Sequence, residues 1–120
     1  MSFALTVEQV INGCKTVTRR LGWANLKPGD IIQPVRKCMG LKKGDKLDKL
    51  TDPICVVSVR REKLCRLTDD MAYGFEECKK EGFKEHPEYQ YPSKFIEFFC
   101  ATHRGCTPNS EVTRIEFVKL

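Results

Sequence analysis

Long apolar runs are missing from this 120-residue chain: nothing in it approaches the ~18 consecutive apolar residues of a membrane span. The N-terminus, Met1-Ser2-Phe3-Ala4-Leu5-Thr6, lacks the basic-then-apolar pattern of a secretory leader, so a cytoplasmic protein with no membrane partner is expected. Cys-x-x-Cys pairs are absent as well. The seven cysteines, an odd number without regular spacing, argue against a disulfide framework. Cys55, Cys65 and Cys78 fall in apolar patterns, where a thiol behaves as a small buried hydrophobe. Cys100, His103 and Cys106 place three potential ligands at intervals of three, but a zinc site usually takes four in tighter spacings, so neither a metal nor a cofactor is expected. No Gly-x-x-x-x-Gly-Lys-Ser/Thr signature occurs, which removes support for nucleoside triphosphate hydrolysis.

What the chain does have is a segregated positive charge. Its length fits one domain, residues 1–120, with enough apolar and aromatic residues for a single core. Of a net charge of +5, residues 14–66 carry fourteen Lys or Arg against five Asp or Glu, which leaves the remainder net acidic. A basic half on a small domain attracts phosphates, so RNA or a nucleotide is the leading partner class; the plainer reading is lysine-rich solubility.

The densest polar text is Gly13-Cys14-Lys15-Thr16-Val17-Thr18-Arg19-Arg20. As a strand from Thr16 to Leu21, its pleat sends Thr16, Thr18 and Arg20 to one face and Val17, Arg19 and Leu21 to the other. Two hydroxyls and a guanidinium on one face suit an anionic or hydrogen-bonding ligand; a solvated edge strand is the alternative.

Around this segment, Thr6 can cap a helix over Val7 to Ile11 that Asn12-Gly13 terminates, and Lys27-Pro28-Gly29-Asp30 forms a turn before a strand, Ile31 to Val35. Residues 37–53 form a long lysine- and glycine-rich loop, uncommon in a compact domain unless functional. Ile54 through Arg66 reads as a long strand with Ile54, Val56, Ser58 and Arg60 on one parity. Thr68 with Asp69 and Asp70 starts a helix whose buried stripe is Met71, Phe75 and Cys78 and which Gly82 ends. Glu81 falls about 80° from Met71 on the helical wheel. There it is either a partly desolvated carboxylate fit for proton transfer or a solvated helix-end glutamate. A second helix follows Pro92 with Phe95, Ile96, Phe98 and Phe99 as its aromatic face, and Glu111 to Leu120 is a closing strand. The expected fold class is α+β: a small β-barrel of about five strands with two or three flanking helices.

Gly13-x-Lys15-x-x-Thr18-x-Arg20, Lys27-Pro28-Gly29-Asp30 before a strand, Glu81-Gly82-Phe83 at a helix end and Ile115-Glu116-Phe117 near the C-terminus together resemble the ASCH domain family over nearly the whole chain. The resemblance implies a PUA-like barrel with a cleft that accepts RNA or a modified nucleoside. It further implies, by similarity to members that hydrolyse the acetyl amide of N4-acetylcytidine, that Lys15, Thr18 and Glu81 are catalytic, with Arg20 at the family arginine. In that chemistry the Thr18 hydroxyl attacks, neutral Lys15 acts as base, Glu81 relays a proton and Arg20 stabilises the oxyanion.

Two features exceed what an amide substrate needs: the Arg19-Arg20 pair and the lysine-rich stretch from Lys37 to Lys49. They favour phosphates. In the binding reading Arg19, Arg20, Arg36, Lys42 and Lys43 contact the nucleic acid and Trp23 offers a stacking face, although tryptophan is more often core. RNA or nucleotide binding therefore stands first, amide hydrolysis second, and ribonuclease third because neither His86 nor His103 lies near the motif in sequence. Oligomeric state is not legible.

Overall fold

A computed structural model describes residues 1, 3, 5–36 and 49–120. Its elements run α1 (Val7–Asn12), β1 (Val17–Arg20), β2 (Ile31–Ile32), β3 (Ile54–Lys63), α2 (Arg66–Asp69), α3 (Met71–Cys78), a π-type turn (Lys79–Phe83), α4 (Pro92–Thr102) and β4 (Glu111–Lys119). The fold is α+β, as the sequence suggests. Among the described residues the antiparallel sheet has four strands in the order β1-β4-β3-β2, curled into a half-barrel. The expected fifth strand and barrel closure do not appear there: Ile31 to Val35 pairs as a strand only over Ile31–Ile32, and Val35 makes a single bridge to Lys49. None of the described helices is long and apolar enough to cross a membrane.

Register explains how the sheet acquires two different faces. Residues opposite each other in an antiparallel pair share a face, so Arg19, opposite Arg114, lies on one side, and Thr18, opposite Ile115, lies on the other. In β3 a bulge at Val57 changes the parity: Val56 pairs with Phe117, whereas Ser58 pairs with Glu116 and Glu62 with Val112. The single parity expected for Ile54, Val56, Ser58 and Arg60 is therefore broken. Ile54 and Val56 join one apolar cluster with Phe3, Val10, Ile32, Ile115 and Phe117, while Glu62 is carried to the opposite face. On that face Val112 packs with Leu64, Leu67, Cys78, Phe83, Phe95, Ile96 and Phe99 in a second cluster beneath the helices.

The α3 helix departs from its expected stripe. Met71 and Phe75 are 46% and 38% exposed, and the buried positions are Gly74, Glu77 and Cys78, continued by Glu81 in the π-type turn. These recur at helical spacing, so the helix does have one buried face, but two of its members are carboxylates. Asp70, not Thr68, caps α3, its side chain accepting from the Tyr73 N–H at 3.1 Å. Gly82 ends the helical path at φ 100°, and Pro92 opens α4 in its first turn, both as expected.

Candidate functional site

The carboxylates of α3 meet cations from the sheet. Arg19, with a fully buried side chain, donates from Nη2 to Glu62 Oε1 and Glu77 Oε1, each at 2.6 Å, and from Nη1 to Glu81 Oε2 at 2.9 Å. Arg114 also binds Glu77, through Nε and Nη2. Lys15 Nζ donates to Glu81 twice, to its backbone oxygen at 2.7 Å and to Oε1 at 3.1 Å. The backbone carbonyl is available because Gly82 turns the chain out of the helix there. Three cations thus face three carboxylates in a buried seam, and among the described residues no buried side-chain N or O lacks a hydrogen-bond partner. Such satisfaction is what makes buried charge tolerable.

The seam perturbs its members in ways that follow from these contacts. Burial lowers the Lys15 ammonium below the ordinary lysine value, against the Glu81 carboxylate that raises it. For Arg19 burial also acts downwards, yet the carboxylates of Glu81 and Glu62 reverse it and hold the guanidinium charged. Burial alone would raise the Glu77 carboxyl, but hydrogen bonds from Arg114 and Arg19 bring it down to about 2.

Thr18 is buried on the other face of β1. Its Oγ1 accepts from Arg20 Nε at 3.2 Å, the pairing that i, i+2 alternation in a strand allows. The Phe3 ring lies near both Lys15 and Arg20, with its centroid 6.0 Å from Lys15 Nζ and 4.9 Å from Arg20 Cζ. The structure thus joins Lys15 directly to Glu81 and Thr18 directly to Arg20. Arg19, read from sequence as a ligand contact, is instead engaged inside the protein by three glutamates.

A cleft of about 740 Å³ opens beside this seam. One wall is α1 and the linker after it, with Gln9, Asn12, Cys14 and Thr16; the other is the π-type turn and the loop beyond, with Lys79, Lys80, Gly82, Lys84 and His86. Backbone pairing sets the walls: Lys15 N–H donates to the Gln9 oxygen at 3.0 Å and Thr16 N–H to the Lys80 oxygen at 2.8 Å. Gly82 allows close approach, since a Cβ there would sit 3.1 Å from Gln9 Cβ and 3.4 Å from Lys15 Cβ. The polar segment starting at Gly13 therefore borders a concavity, although Lys15, Thr18 and Glu81 are not among the cleft-lining residues.

Trp23 lies past the end of β1, 45% exposed, with a left-handed φ of 62°. It is not core. Arg36 is exposed and Arg20 half-buried, and Lys42 and Lys43 lie outside the described residues. His103 stacks on Phe99 at 4.0 Å with Nδ1 2.8 Å from the Phe99 oxygen, while Cys100 and Cys106 face each other with sulfurs 3.5 Å apart.

Sequence reasoning missed Glu62, Glu77, Arg114, Lys79, Lys80, Lys84 and His86. Glu77 carried a readable signal, lying four residues before Glu81 on one helix face, and Arg114 shares its parity with Val112. Glu62 carried none, because the bulge that aims it is invisible in the text. No protein-family model, curated protein or solved structure matches the chain.

Proposed function

We propose that the protein is an ASCH-type, PUA-like module that binds RNA or a nucleotide in the cleft beside the Gly13–Arg20 segment. The observation that carries the reading is the make-up of that cleft: Cys14 and Thr16 of the motif line it together with Lys79, Lys80 and Lys84. Glu8 and Glu85 line it too, and Lys79 and Lys80 are also paired with Glu76 and Glu77 at 3.8 and 3.6 Å, so Lys84 is the cation offered for a phosphate. Gln9, Asn12 and Thr16 supply neutral hydrogen-bonding groups for base or sugar edges. The buried seam holds the walls in place, since Lys15 ties the linker to the π-type turn through Glu81. Phosphate contacts release counterions, so affinity for a short RNA should fall linearly in log–log form as salt rises, and Lys84→Ala should reduce that slope by about one. A salt-independent affinity, or none, contradicts the reading.

A second reading, amide hydrolysis on an acetylated base, is favoured by one specific pairing. A lysine whose ammonium is disfavoured by burial sits on Glu81, and the Thr18 hydroxyl is held by the Arg20 guanidinium. Thr18 Oγ would attack the acyl carbon while Lys15 takes its proton, Arg20 would stabilise the oxyanion, and Glu81 would pass a proton to the departing amine. Water would then release the acetyl group from Thr18. Thr18 lies within β1 and Lys15 just before it, so this chemistry requires the two side chains to meet at the substrate. Release of acetate from N4-acetylcytidine, abolished by Thr18→Val, tests it.

A further inference from the structure

Three aromatic rings form a continuous stack that ends at the cleft. Phe98 and Tyr89 lie 4.4 Å apart at 25°, and Tyr89 and His86 lie 4.1 Å apart at 4°, almost parallel. Phe83 meets both His86 and Tyr89 edge-on, at 5.6 and 5.5 Å, and so fixes the stack from the side. The imidazole cannot rotate freely, because its Nδ1 accepts the Glu88 N–H at 3.1 Å and the Tyr89 N–H at 2.9 Å. With Nδ1 an acceptor, the proton of the neutral ring resides on Nε2.

His86 lines the cleft and Tyr89 does not, so the end of the stack that reaches the cleft is the imidazole. A flat, rigid aromatic surface, already oriented, is a low-entropy platform for another flat ring. Amides and a hydroxyl from Gln9, Asn12 and Thr16 suit the edge of a heterocycle. Of the charged lining, Lys84 suits an attached phosphate, while Lys79 and Lys80 are paired with Glu76 and Glu77, and Glu8 and Glu85 bring negative charge.

We infer that His86 is the base platform of the cleft: a nucleobase stacks on the imidazole as the fourth ring after Phe98, Tyr89 and His86, with its 5′ phosphate towards Lys84. This inference rests on the nucleotide-binding reading above and adds to it where the base lies and which residue holds it.

Cytidine 5′-monophosphate and ribose 5-phosphate, which lacks the base, separate the two. With the wild-type protein, cytosine H5 and H6 should move upfield and show NOEs to the His86 ring protons, and ribose 5-phosphate should bind about tenfold more weakly. His86→Asn keeps an acceptor at the Nδ1 position for the Glu88 and Tyr89 N–H groups but removes the ring. It should lower affinity for cytidine 5′-monophosphate about tenfold and leave ribose 5-phosphate unchanged. Equal affinity of the two ligands for the wild type, unchanged cytidine 5′-monophosphate binding by His86→Asn, or NOEs to Trp23 in place of His86 would overturn the platform while nucleotide binding stood. If neither ligand nor a short RNA binds, the nucleotide reading itself falls, and the platform with it. The upfield shifts and NOEs come from the wild type alone, so the test survives a variant that fails to fold.

Discussion

Arg19 and Arg114 stand directly opposite each other on neighbouring strands, two guanidiniums on one face of the sheet, and Glu77 of α3 binds both. Like charges in that register repel, so the glutamate is what lets β1 and β4 pair there. Because α3 supplies the anion, the sheet and the helix layer are locked by charge at this point.

Removing that anion leaves two buried cations under-compensated. Glu77→Gln should cost about 3–5 kcal/mol in urea unfolding, whereas Glu111→Gln, which breaks the exposed pair with Arg61, should cost less than about 1 kcal/mol. Comparable losses for the two would mean that the seam is not a structural lock.

Acid should reveal the same residue. The Glu77 carboxyl falls from an ordinary 4.5 to about 2 on folding, so its contribution is fully present above pH 4.5 and is lost as the pH drops towards 2. Stability followed by circular dichroism through that window should decline more steeply for the wild type than for Glu77→Gln.

Lys15 acts with the opposite sign. Its ammonium titrates lower in the folded protein than the ordinary 10.5, so between those two values the unfolded chain binds more protons and stability rises with pH. Lys15→Met should lack this rise. Parallel stability curves for the two proteins up to pH 10 would remove the claim that burial governs Lys15.

Gly74 is required by contact rather than by backbone angle. A methyl group there would overlap the Leu67 carbonyl oxygen and come within 2.8 Å of Pro92 Cγ, so Gly74→Ala should destabilise by about 3 kcal/mol by forcing α3 off α2 and α4. Thermal unfolding close to wild type would contradict it.

Trp23 occupies a left-handed conformation that glycine adopts without strain, while its neighbour Gly22 does not use one. Trp23→Gly should therefore be more stable than Trp23→Ala by about 1 kcal/mol in chemical denaturation. Equal stabilities would show that the backbone relaxes once the indole is gone.

Much of the framework could be read from the text because its signals are local. Gly13 ending α1, Gly82 ending the helical path, Pro92 opening α4 and the alternating run into β4 each depend on a residue's own dihedral or hydrogen-bond limits. The seam was illegible because it inverts the usual rule that carboxylates face water. Met71 and Phe75 read as the dry side of α3, Glu81 as lying beside that stripe, either desolvated or solvated, and Glu77 was not singled out; only the cations delivered by β1 and β4 make the buried carboxylates favourable. The bulge at Val57 hid Glu62 in the same way, since one extra residue in a ladder changes which face every later side chain takes. Within the segment from Gly13 to Arg20 the concavity was foreseen, but the division of labour was not: Cys14 and Thr16 border the cleft, and Arg19 serves the interior.

The most direct test of the cleft as the binding site is an amide NMR titration of the protein with tetrauridylate RNA at low salt. The account predicts saturable shifts at Cys14, Thr16, Lys80, Gly82 and His86 that weaken as salt is added. Shifts gathered instead on the exposed Met71 and Phe75 face of α3, with the cleft amides unmoved, would contradict it.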